Sequence, residues 1–159
     1  MSKNSRGIGK YGELQVMAWF MDREYLETFM PVLDCGIDLV VKNKKGNFVP
    51  IQVKTQTVSE DGEYSTSNIS KQEIDAFQNG VYVFVVRKEK EVNYILMPAN
   101  WIFKHSRKEL KKHQLHCGKD GLVRFGFEIN EKSAYYDWSK KKRFEVTKFL
   151  NNPSVIDEV

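Results

Sequence analysis

The chain has 159 residues, 41% of them hydrophobic and 13% aromatic, with only 4 prolines; this fits a single domain with a sizeable core and excludes long disorder. A formal net charge of +4, from 25 Lys and Arg against 21 Asp and Glu, matters only where it is focused on one face. No apolar run approaches the length of a bilayer span and the opening residues carry no secretory-type stretch, so a cytoplasmic protein is expected, with Cys35 and Cys117 as free thiols.

In chain order, apolar residues at Leu14, Met17, Ala18, Met21, Tyr25 and Phe29 recur every three or four positions and predict an amphipathic helix from Tyr11 to about Phe29, with Glu13 in its first turn. After Pro31, Ile37 to Val41 and Phe48 to Lys54 read as two strands. The turn "KNKKGN" between them, with Gly46 and Asn47, predicts an antiparallel hairpin. Ser70 and Glu73 form an S-x-x-E capping box for a short helix to about Asn79, closed by Gly80. The continuously apolar "VYVFVV" (81–86) reads as a strand covered on both faces, and "VNYILM" (92–97) as its hairpin partner. Beyond Pro98, the sequence predicts a basic helix from Trp101 to about Gln114, a strand over 122–129, a last helix over 138–150 and a frayed tail after Pro153.

Polar residues at the ends of the first two strands are the chemically informative feature. Residues two apart in a strand share a face, so Gln52 and Lys54 point one way and Ile51 and Val53 the other. Across the hairpin Asp38 can join Gln52 and Lys54, and the first helix can bring Glu13 to the same edge. Two carboxylates and an amide oxygen suit a hard cation such as Mg²⁺, with the Val53 carbonyl a further donor and Asp34 a substitute ligand. Lys54 beside that cation can orient a water or stabilise charge on a phosphate. Taken singly, each residue has a plainer explanation: a sheet-edge ion pair for Asp38, a solubility charge for Lys54, the helix dipole for Glu13.

"GKYGE" opening a helix, then "GIDLVV", then "IQVKT", resembles the PD-(D/E)XK nuclease superfamily. It is most similar to the Mrr-type, Holliday-junction-resolvase-like and intron-encoded homing-endonuclease branches, some of which carry glutamine where the superfamily name has an acid. The resemblance implies an α/β fold with an αβββαβ core (about 9–97) around a mixed central sheet, followed by a basic C-terminal α/β extension (about 98–152). It implies a metal-dependent DNA endonuclease using Mg²⁺ (or Mn²⁺), with Glu13, Asp38, Gln52 and Lys54 catalytic, and Asp38, Gln52 and Glu13 on the metal. The partners implied are double-stranded DNA and further copies of the chain, as a dimer or tetramer. The alternative is a non-catalytic DNA-binding module on a decayed nuclease fold, because Gln52 removes one negative charge from the metal site.

Basic side chains supply the expected DNA contacts: Lys10, with Lys3 and Arg6; Lys104, Arg107, Lys108, Lys111 and Lys112; and Lys140, Lys141, Lys142 and Arg143. Tyr64, Trp101, Tyr135, Tyr136 and Trp138 are candidates for stacking on bases, with core packing as the competing account. "HQLHC" (His113, His116, Cys117) matches no closed four-ligand zinc pattern, "GIGK" lacks the rest of a phosphate-binding loop, and no histidine is positioned to make Cys35 a nucleophile.

Overall fold

The computed structural model describes residues 3–32, 36–58, 67–88, 90–106, 120–130, 132–137 and 143–159. Helix α1 (Lys3–Met21) leads into strands β1 (Thr28–Phe29), β2 (Leu39–Lys42) and β3 (Phe48–Val58). Strand β4 (Ser67–Ser70), helix α2 (Lys71–Ala76), strands β5 (Val81–Lys88) and β6 (Glu91–Pro98) and helix α3 (Ala99–Ser106) follow. The C-terminal part holds β7 (Leu122–Phe125), β8 (Phe127–Asn130), β9 (Ser133–Asp137) and β10 (Arg143–Glu145), then two 3₁₀ turns at Thr147–Phe149 and Pro153–Glu158. The fold is α/β around a mixed five-stranded sheet of order β1-β2-β3-β5-β6, in which only the β3–β5 pair is parallel. Leaving β4 aside, the order α1-β1-β2-β3-α2-β5 gives the αβββαβ core.

The predicted hairpin forms, with Leu39 opposite Ile51 and Lys42 opposite Phe48. Asn43 closes its turn by accepting the Lys45 and Asn47 amides on Oδ1, and Gly46 supplies the positive φ, 86°, that the turn requires. The two faces of the sheet have different covers. Thr55, Val85 and Tyr94 stand in one cross-strand row, and α1 lies over it: Gly12 abuts Thr55, and the Trp19 ring sits 4.8 Å from Tyr94. Lys54, Phe84 and Ile95 form the next row on the opposite face, where Phe84 packs against Phe125 and Phe127. Buried on both sides, β5 is the hydrophobic centre, as its unbroken apolar run requires.

Several boundaries differ from those the sequence predicts. The first helix starts at Lys3, so Glu13 lies in its middle and not its first turn. It ends at Met21 because Glu24, at φ 69°, closes it: the Tyr25 amide donates to Phe20 O and the Glu24 amide to Met21 O, the two bonds of a Schellman motif. Its buried face is Val16, Trp19 and Phe20, while Leu14 and Met21 are exposed and Phe29 belongs to β1. The stretch 122–129 is two strands, β7 pairing with β4 and β8 with β9, separated at Gly126. Of the helix predicted over 138–150, residues 143–145 form β10 and 147–149 a 3₁₀ turn, because Arg143–Glu145 pair with Tyr135–Asp137. The tail is no frayed end: Val155 and Ile156 are buried and Asn152 caps the final turn. The helix predicted from Trp101 runs from Ala99 to Ser106. Its remaining span, with Arg107, Lys108, Lys111, Lys112, His113, His116 and Cys117, lies outside the described residues, as do Asp34, Cys35, Tyr64, Trp138, Lys140, Lys141 and Lys142.

Candidate active site at the Asp38 end of the hairpin

Asp38 precedes the first paired position of β2, where the strand parts from β3. Its amide still donates to Ile51 O (3.0 Å), and its Oδ2 accepts the Val53 amide (2.7 Å), so the carboxylate occupies the place of a ladder carbonyl. Burial raises the Asp38 pKa above the ordinary value; the Val53 hydrogen bond opposes the shift, the charge of Glu13 adds to it, and Lys54 and Lys10 oppose it. Glu13, Lys54 and Lys10 are therefore electrostatic neighbours of Asp38, although they arise from α1 and β3.

Glu13 reaches this position because its neighbour Gly12 lets α1 settle onto β3. A Cβ at residue 12 would collide with the Thr55 hydroxyl. Lys10, one helical turn earlier, forms an ion pair with Glu13 at 2.7 Å. A side chain expected on the DNA backbone is thus held by an acid beside Asp38. Gln52 is half-buried, and among the described residues no hydrogen bond engages its amide.

Lys54 is paired to a residue that the sequence offered only as a helix cap. Its Nζ lies 3.9 Å from Glu73 Oε1. Glu73 is the N3 residue of the capping box: its Oε2 accepts the Ser70 amide (2.7 Å) and its own amide donates to Ser70 Oγ (3.1 Å). Burial works against the Glu73 charge, yet hydrogen bonding of the carboxyl to the Ser70 backbone and side chain, with the Lys54 charge, holds it below the usual range. Gln56, two residues beyond Lys54, is buried and donates from Nε2 to Phe125 O (2.8 Å), fastening β3 to the C-terminal strands.

The other expected contacts are less concentrated. Lys104 is exposed on α3, and the backbone of Arg143 lies in β10. Tyr136 is a core residue, 1% exposed, and its hydroxyl donates to Arg124 O, which removes it from the base-stacking candidates. Trp101 stacks on His105 at 3.8 Å and meets Phe149 edge-on. Among the described residues no three His, Cys, Asp or Glu side chains cluster as a metal-ligand set, and no helix is long and apolar enough to cross a membrane. A donor set of two carboxylates and an amide still suits a hard cation, since Mg²⁺ takes one or two carboxylates and keeps several waters. Burial and the nearby Glu13 charge, which raise the Asp38 pKa, are what a cation bound there would offset.

The sequence profile of a restriction endonuclease family matches residues 13–143, a span that begins at Glu13 and includes Asp38, Gln52 and Lys54. The solved structure of a bacterial homing endonuclease is similar at 17% identity over 75% of this chain and 87% of that one, with a TM-score of 0.47. No curated protein gives a significant match.

Proposed function

The chain belongs to a restriction endonuclease family and is accordingly a DNA endonuclease; from that premise we propose that it is metal-dependent and hydrolyses phosphodiester bonds at Asp38, Gln52 and Lys54. The observation that carries this reading is the convergence on Asp38, where a half-buried carboxylate, fixed by the Val53 amide, feels Glu13, Lys54 and Lys10 at once.

Asp38 and the Gln52 amide oxygen would hold Mg²⁺ or Mn²⁺, with Glu13 assisting directly or through a water and the Val53 carbonyl as a further donor. When bound, the cation supplies a lowered pKa for water and neutralises charge on the scissile phosphate. The residues of the chain do the rest. The Val53 amide fixes the Asp38 carboxylate in one orientation, so no reorganisation is needed when substrate arrives. Lys10 holds Glu13 through its ion pair and offsets part of the acid charge. Lys54 presents its ammonium to the phosphate as negative charge grows on it, and orients the attacking water. Glutamine at residue 52 leaves the site one charge weaker than a carboxylate would, which predicts a higher metal requirement.

The substrate is double-stranded DNA, bound through backbone contacts from Lys104, Arg107, Lys108, Lys111, Lys112, Lys140, Lys141, Lys142 and Arg143. Cutting both strands requires a second site, supplied by another copy of the chain.

Incubation of a supercoiled plasmid with the protein in Mg²⁺, in Mn²⁺ and in EDTA tests the reading. Nicking with either metal and none in EDTA is expected, and Gln52→Glu should lower the half-saturating Mg²⁺ concentration by about tenfold. Cleavage undiminished in EDTA would refute metal dependence. No cleavage under any condition, with DNA retained at low salt, would identify the decayed binding module instead.

A further inference from the structure

We propose that Glu73 is a positioning residue that holds the Lys54 ammonium over the reacting phosphate, so that helix α2 is part of the catalytic apparatus; this deepens, and rests on, the nuclease reading above. Three observations place Glu73 on the Gln52–Lys54 face. Gln52 is paired with Tyr82 and Lys54 with Phe84, so those four side chains share one side of the sheet. Helix α2 lies on that side: its Ile74 is fully buried, and Phe77, just after the helix, packs edge-on against Tyr82 at 5.0 Å. The buried Tyr82 hydroxyl has no hydrogen-bond partner among the described residues and feels the charge of Glu73, which marks how close that carboxylate comes to the Gln52 row.

The two oxygens of Glu73 have separate tasks. Oε2 is tied to the Ser70 amide at the start of α2, which fixes the side chain. Oε1 is left to face Lys54 Nζ, at 3.9 Å. That separation is an ion pair longer than a hydrogen bond, strong enough to orient a flexible four-carbon side chain and weak enough to let its protons turn to a phosphate oxygen. Glu73 therefore restricts where Lys54 points before DNA arrives, at little cost to the contact that Lys54 makes afterwards.

The capping role and the positioning role can be separated by one substitution. Gln satisfies a capping box as Glu does, because it still accepts the Ser70 amide, but it carries no charge toward Lys54. The test is steady-state cleavage of a plasmid in Mg²⁺ by the parent protein and by Glu73→Gln, with the melting temperature of each. We expect kcat to fall about tenfold in Glu73→Gln, with KM within twofold and the melting temperature within about 2 °C of the parent. A kcat that is unchanged or raised, or that falls only in proportion to lost folded protein, would overturn the proposal while the parent's activity upholds the nuclease reading. A parent that does not cleave overturns both together.

Discussion

Asp38 is held at a cost that its hydrogen bond and the nearby lysines only partly offset. Its folded-state pKa is raised above the ordinary value of 3.8, by burial first and by Glu13 as well. For an acid shifted in that direction, the penalty is absent below the unfolded value, where the group is protonated in both states. It grows as pH rises toward the folded value and is complete above it. Asp38→Asn can still accept the Val53 amide and carries no charge, so it should melt a few degrees above the parent at pH 7, with the gain gone near pH 3. A gain that persists at pH 3, or no gain at pH 7, would show in the same melting series that the buried charge is not the cause. The same variant should be inactive, the usual exchange of stability for function at a strained site. At this scale Asp38, Gln52 and Lys54 were legible because period-two alternation puts polar side chains on a single face. Glu73 was not: it satisfied every requirement of a capping box, and only the parallel packing of β5 beside β3 reveals that the cap overlies Lys54.

Two glycines of α1 make opposite predictions about how that helix meets the sheet. Gly9 has open space around its Cβ position, so Gly9→Ala should raise stability by about 0.5–1 kcal/mol through helix propensity. Gly12 faces Thr55, and Gly12→Ala should lower stability by about 1–3 kcal/mol, with cleavage falling further because Glu13 moves with the helix. Denaturant melts of the two variants check this; equal effects would mean that α1 does not bear on β3 at residue 12. Elements with a local chemical signature were readable, among them the Asn43–Asn47 turn, the Ser70 capping box and the apolar β5. Those whose ends depend on unusual residues or distant pairing were not. The C-terminal stop of α1 uses a glutamate in the left-handed conformation where glycine is the usual signal. The alternation across 122–129 looked like one strand because each half is regular, and the break at Gly126 comes from pairing with two different sheets.

In the whole molecule, one edge of the sheet lies inside the family span and the other is covered by residues beyond it. One edge is the two-residue β1; at the other, Leu150 bridges to Ile95 of β6 and Asn151 both accepts the Tyr94 amide and donates its own to Tyr94 O. The last turn then reaches the far end of the hairpin: Asp157 accepts the Tyr25 hydroxyl and the Lys44 amide, and Asn43 donates to Ile156 O. Ile156→Ala should therefore cost about 3 kcal/mol in a denaturant melt, although the residue lies outside the matched family span, and a cost below about 1 kcal/mol would mean that the tail does not close the core. Such docking was hidden in the sequence because a short polar segment with one proline reads as an end until its apolar residues Val155, Ile156 and Val159 find a surface. If Asp38 and Lys54 act together on DNA already held by other residues, catalysis and binding separate in their variants. Single-turnover plasmid cleavage in Mg²⁺ beside filter retention of the same DNA, for the parent, Asp38→Asn and Lys54→Ala, should show DNA retention within about threefold of the parent in both variants and cleavage reduced by about 10²-fold or more; cleavage at the parental rate in either variant would mean that these two side chains do not carry the chemistry.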